Sequence, residues 1–243
     1  YRPKGNTMKP TIILVHGAFA DASSWDDVAD RLTDAGHRVV AYANPLRSIA
    51  GDAAGLTEVV RTVEGPVVIA GHSYGGAVLT NVAAEAGDVV GIVYVAAFAL
   101  EAGESPADVA GRVPGSTLAE TLETVPLPGG GDDLYIAQQK FHAQFCADVP
   151  ERRAKLMAVT QRPIAATALS EKSGGAPLWR GVPSWFIFGD QDRNIPVEAQ
   201  RSMAERANAK RTIEIAGASH VVGVSHPSET SDLILEAAAP TKP

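Results

Sequence analysis

A serine flanked at two-residue spacing by glycines, Gly71-His72-Ser73-Tyr74-Gly75, suits nucleophilic attack from a sharp turn. A serine hydroxyl is a weak nucleophile near neutral pH, so it needs an adjacent base and a carboxylate to fix that base's tautomer. Downstream, Gly189-Asp190-Gln191-Asp192 offers two acids and Gly217-Ala218-Ser219-His220 offers a base, in the order nucleophile, acid, histidine. Asp192 is preferred as the acid, because three residues past Gly189 it has room to turn back toward His220. Asp190, still at the strand exit, is the alternative. His220 is preferred as the base because it directly follows the last apolar strand. His226 precedes Pro227 at a helix start and is the weaker candidate.

Acyl transfer also needs two backbone N–H groups aimed where negative charge develops. His16-Gly17-Ala18-Phe19, immediately after the first strand, supplies one at Ala18, with Gly17 permitting close approach; Tyr74, directly after the nucleophile, supplies the other. His72 alternates away from the nucleophile and reads as support for the turn, and His37 reads as a structural turn residue. Asp190-Gln191-Asp192-Arg193-Asn194 mimics the start of a calcium loop, but Ile195 and Arg201 stand where that loop needs glycine and glutamate. Neither a zinc pattern nor a dinucleotide-binding glycine turn after the first strand is present, so no metal and no cofactor is expected.

These residues need a scaffold that brings strand ends together. Thr11–His16, Arg38–Ala43, Val67–Ala70, Val89–Ala96, Ser184–Phe188 and Thr212–Ile215 are short runs apolar on both faces. Between them lie helical patterns over Trp25–Ala35, Asp52–Val63, Gly76–Ala86, Val197–Ala207 and Pro227–Ala238. That alternation predicts an α/β fold with a mostly parallel sheet covered on both faces. Functional loops then fall at the carboxyl edge. The expected core comprises residues 9–97 and 181–243. The alternation breaks over 98–180, where Pro/Gly-rich loops and two helices, near Asp132–Phe145 and Pro150–Thr160, predict a cap. On the first of these, Leu134, Gln138, Phe141 and Phe145 share a helical face that either packs on the core or lines a pocket. Phe19, Phe141, His142 and Phe145 are accordingly the candidate pocket residues, His142 as a donor to substrate.

Composition narrows the function. A net charge of −7 offers no general attraction to nucleic acid or anionic membrane, and no apolar run approaches a membrane span. The single cysteine, Cys146, forms no internal disulfide and reads as a small hydrophobe; together with the lack of an apolar leader this predicts a cytoplasmic protein, monomeric or homodimeric. Residues 1–8 are set aside as a disordered or added lead, since Tyr1–Thr7 is polar and precedes Met8. Without an Arg/Lys cluster, the expected partner is a small neutral ester or lactone.

H-G-A after the first strand, G-H-S-Y-G-G at the turn, G-x-x-D-x-x-x-P over Gly189–Pro196 and G-A-S-H before the last helix together resemble the α/β-hydrolase superfamily. The resemblance runs from about Lys9 to Ala238 and is nearest to small bacterial esterases, similar to the plant methylesterase and hydroxynitrile lyase group. It implies the α/β-hydrolase fold with 98–180 as cap, Ser73, Asp192 and His220 as triad, and Ala18 and Tyr74 as oxyanion donors. Hydroxynitrile lyases of that group carry threonine in place of Gly17 and lysine in place of Val221, and the superfamily's dehalogenases carry aspartate in place of Ser73. Ester hydrolysis through an acyl-enzyme is thus the implied chemistry. A lyase or cofactor-free perhydrolase on the same triad, or a triad-bearing binding protein, are the alternatives.

Overall fold

A computed structural model describes residues 8–240; the expectation for residues 1–8 falls, Met8 apart, outside them. Among the described residues nine strands are present: β1 Thr11–Val15, β2 Val39–Tyr42, β3 Pro66–His72, β4 Asp88–Val95, β5 Leu122–Pro126, β6 Asp132–Ile136, β7 Ile164–Ala165, β8 Ser184–Gly189 and β9 Arg211–Ile215. Six form one parallel sheet in the order β2-β1-β3-β4-β8-β9. Its central strands are apolar throughout because helices pack on both faces: Ile12 to Val15, Val67 to Ala70 and Ile92 to Val95 are all fully buried.

The strand order places the site. From β1 the chain moves to β2 on one side, then crosses over and proceeds through β3, β4, β8 and β9 on the other. The segments leaving β1 and β3 therefore diverge, and such a switch point opens a crevice at the carboxyl edge. Val15 is paired with Gly71, so the residues that follow, His16-Gly17 and His72-Ser73, lie abreast at that crevice.

The connection between β4 and β8 departs from the sequence expectation. Asp132–Ile136 is a strand, not the first half of a helix; β5, β6 and β7 form a separate antiparallel sheet, and the helix runs only from Gln138 to Phe145. The cause lies in the Pro/Gly-rich stretch before it. Gly130 and Gly131 take φ of 91° and 83°, and Leu127 N–H donates to the Gly131 carbonyl, closing a hairpin that aligns Asp132–Ile136 against Leu122–Pro126. Leu134 therefore sits on β6, off the face of Phe141 and Phe145, and Gln138 is exposed. The helix after the Gly-rich turn is also shorter than expected, Tyr74–Thr80 instead of Gly76–Ala86.

Candidate active site

Ser73 is the single residue between β3 and the helix Tyr74–Thr80, at φ 53°, ψ −121°. This is a conformation that L-residues rarely adopt, and it persists only where surroundings enforce it. Here the Ser73 N–H donates to the Val95 and Ala96 carbonyls at the end of β4, and its carbonyl accepts from Gly76 and Phe98. Close packing does the rest. A Cβ on Gly75 would lie 2.3 Å from the Val15 carbonyl oxygen, and one on Gly17 would lie 2.7 Å from Ser73 Cβ, so both positions require glycine.

Beside it, hydrogen bonds orient the turn after β1. Asn44 N–H donates to His16 Nε2 at 3.1 Å, which makes Nδ1 the protonated nitrogen; Nδ1 then donates to the Gly17 carbonyl at 2.9 Å. That carbonyl belongs to the same trans peptide as the Ala18 N–H, which therefore points the opposite way. Ala18 lines the cavity beside Ser73. The backbone N–H groups of Ala18 and Tyr74 donate to no carbonyl among the described residues, whereas that of Phe19 is used by Arg162. The Tyr74 side chain is fixed separately, its hydroxyl donating to buried Asp52 at 3.0 Å. Burial pushes the Asp52 carboxyl up and, with Asp52 beside it, the Tyr74 phenol up as well.

Of the two candidate acids, the structure brings Asp192 to the histidine. Its Oδ2 accepts from His220 Nδ1 at 2.7 Å, both side chains being fully buried. Oδ1 accepts from the Asn194 and Ile195 N–H groups, and Oδ2 also from Gln200 Nε2 at 2.9 Å. Because a carboxylate accepts, His220 carries its proton on Nδ1 and turns an unpaired, buried Nε2 outward from that bond. Asp190 serves the chain instead, accepting from Gly217 N–H at 2.7 Å and so tying the exits of β8 and β9. His226 is partly exposed, 3.6 Å from Asp148 and 3.9 Å from Glu229.

His72 does more than support its own turn. Its ring stands 4.8 Å from that of His220, and Nε2 donates to the His220 main-chain carbonyl at 3.1 Å. Burial, reinforced by the neighbouring His220, holds its pKa well below the ordinary histidine value, so it stays neutral. Unfolding releases it to bind a proton wherever the pH lies below ~6.5. The unfolded state then holds more protons, and stability that is full above that pH is lost as the pH falls. His72→Gln, which keeps a donor but removes the titration, should therefore show a shallower loss of unfolding free energy between pH 6.5 and 5, by up to ~1.4 kcal/mol per pH unit. Equal slopes in urea titrations would contradict this origin.

The candidate pocket residues separate. Phe19 lines a cavity of about 430 Å³ that contains Ser73 and Tyr74, walled mostly by residues 106–122 together with Leu169, Asn194 and Ile195. Phe141, His142 and Phe145 do not. Phe141 and Phe145 are fully buried, and the Phe145 ring packs 5.2 Å from that of His220. His142 Nε2 donates to the Val149 carbonyl and so holds the turn between two helices. No Lys, Arg, Asp or Glu lines the cavity. Burial likewise pushes the Cys146 thiol up to about 12, leaving it unreactive.

Gln200 escaped the sequence reading, and His72, read as support for its turn, has in addition the bond to the His220 carbonyl. The signal for Gln200 was a polar residue on the apolar face of its helix, one turn before buried Met203 and Ala204. Among the described residues, no group of three or more His, Cys, Asp or Glu side chains is placed to hold a metal, and no helix is long and apolar enough to cross a membrane.

Residues 12–233 match the model of the alpha/beta hydrolase family. Methylesterase 9 of Arabidopsis thaliana is 24% identical over 248 residues, covering 93% of this chain and 97% of the relative. A carbendazim hydrolyzing esterase of Nocardioides sp. (strain SG-4G) is 35% identical over 106 residues, 38% of this chain and 44% of its own. Among solved structures, polyneuridine aldehyde esterase superposes with a TM-score of 0.79 at 22% identity, covering 96% of this chain and 100% of that one.

Proposed function

This chain belongs to the alpha/beta hydrolase family, and on that premise we propose that it is a serine hydrolase of small, neutral carboxylic esters or lactones. The observation that carries the reading is the 2.7 Å Asp192–His220 bond, which leaves His220 Nε2 as a buried, unpaired base on a ring 4.8 Å from that of His72, the residue before a serine held in a strained turn. No hydrogen bond joins Ser73 to His220 here, and catalytic pairs of this kind tighten when substrate is bound. His220 takes the Ser73 proton as Oγ attacks the ester carbonyl; the oxyanion is received by the Ala18 and Tyr74 N–H groups. His220 then protonates the leaving alcohol, and water, deprotonated by the same nitrogen, releases the acid from the acyl-enzyme. Residues 98–180 act as the cap, since they supply most of the cavity wall opposite Ser73. A wall without charged side chains favours a neutral ester, because a charged one would be buried without a partner.

The relatives named methylesterase and esterase support the choice of ester bond, and Gly17 and Val221 support hydrolysis over cyanohydrin cleavage. A panel of short-chain aryl and methyl esters, assayed with and without EDTA, tests it. The expected result is hydrolysis of neutral esters in preference to anionic ones, unchanged by the chelator; failure on every ester, or a metal-restorable rate, would overturn it.

A further inference from the structure

Resting on the ester-hydrolase reading, one further residue of the cavity has a hydrogen-bonding direction that its neighbours dictate. The Arg193 carbonyl only accepts, so the Gln144 atom 2.9 Å from it is Nε2. That same nitrogen lies 2.7 Å from the Asn194 side chain, which makes the Asn194 atom Oδ1. At the other end of Gln144, Oε1 accepts from Thr117 Oγ1 at 2.8 Å. Gln144 and Asn194 are both 4% exposed, so neither amide turns over without breaking this chain. Asn194 is left with Nδ2 as a fixed donor, unbonded to any described residue and not among the polar atoms sealed from solvent, in a residue that lines the Ser73 cavity.

The rest of the wall offers little competition. Pro106, Ala110, Val113, Leu118, Leu169 and Ile195 are apolar, and the Tyr74 hydroxyl is already committed to Asp52. Ser116 also lines the cavity, but its hydroxyl rotates and both donates and accepts, so it does not select one kind of partner. A site built around a fixed donor discriminates strongly against ligands that leave the donor unpaired.

We propose that Asn194 Nδ2 is a specificity-determining donor, and that this protein selects neutral esters bearing a second, uncharged oxygen acceptor in the portion that fills the cavity. A ketone or ether oxygen fits that description. A carboxylate does not, because the cavity wall holds no cation and the Asp192 carboxylate lies two residues away.

The test compares methyl octanoate with its oxo derivatives, the ketone moved carbon by carbon along the chain. For at least one position kcat/KM should exceed that of the parent ester by about tenfold or more, and in Asn194→Leu that preference should shrink to within about twofold. Asn194→Asp keeps an acceptor for Gln144 and removes the donor, so it should lose the preference too; it decides the matter if the leucine variant does not fold. No preference at any position, or the same preference in both variants, would overturn the proposal. Should no ester of the series be turned over, the matching octanones are titrated into 15N-labelled Ser73→Ala. A shifted Asn194 side-chain amide signal would then uphold the recognition role while sinking the hydrolase reading, and an unshifted one would sink the recognition role.

Discussion

Ser73→Ala should hydrolyse neutral esters at least ~10³-fold more slowly than the parent protein, with an unfolding midpoint close to the parent's. The change removes one oxygen and leaves intact the backbone bonds that hold the turn, those of Ser73 with Val95, Ala96, Gly76 and Phe98. On the proposed mechanism, what is lost is the atom that forms the acyl bond. Residual turnover would reflect the oxyanion donors and the cavity alone. Retention of most activity, measured at substrate saturation on a variant of normal stability, would remove Ser73 from the mechanism.

The second large effect concerns the acid. Asp192 Oδ2 receives two donors, His220 Nδ1 and Gln200 Nε2, while Oδ1 receives two backbone N–H groups. In Asp192→Asn the oxygen must stay with the two backbone N–H groups, which can only donate, so the amide nitrogen faces His220 and the imidazole loses the acceptor that fixes its tautomer. A fall of ~10⁴-fold in kcat is expected. Asp190→Asn retains an oxygen for its 2.7 Å bond to Gly217 N–H and should cost less than about tenfold. The pair of variants separates the two carboxylates; small, equal losses would send the search for the acid to another strand end.

Much of this was legible in the sequence because the parallel sheet writes its own pattern. Strands buried on both faces appear as runs such as Ile12 to Val15 and Val67 to Ala70, and the polar residues that interrupt such runs at their carboxyl ends fall at the crevice. Ser73 follows β3 directly, and Asp192 and His220 stand three and five residues past the ends of β8 and β9, so short exits from the sheet carry all three to its carboxyl edge. The segment between β4 and β8 was not legible in the same way. Its β5-β6 hairpin is set by glycine conformations at Gly130 and Gly131, and local periodicity over Asp132–Ile136 does not distinguish strand from helix. Phe141 and Phe145 were recognised as one face, but its partner proved to be the protein interior behind His220, not the cavity.

Contacts between distant residues were the other blind spot. His72 and His220 are 148 positions apart, and nothing local to His72 announces that its Nε2 serves the His220 carbonyl. Asn194 likewise gains its direction from Gln144, on a helix 50 residues earlier in the chain. Both are polar residues whose roles depend on which single acceptor the fold brings within reach.

The central claim, that Ser73 is the nucleophile activated by His220, is tested most directly by trapping. The protein is treated with an activated serine-directed phosphonate and its peptides are mapped by mass spectrometry, with His220→Ala in parallel. A single phosphonyl group should form on Ser73 at the rate activity disappears, and labelling should be strongly slowed in His220→Ala. An adduct on another residue, or full inactivation with Ser73 unmodified, would contradict it.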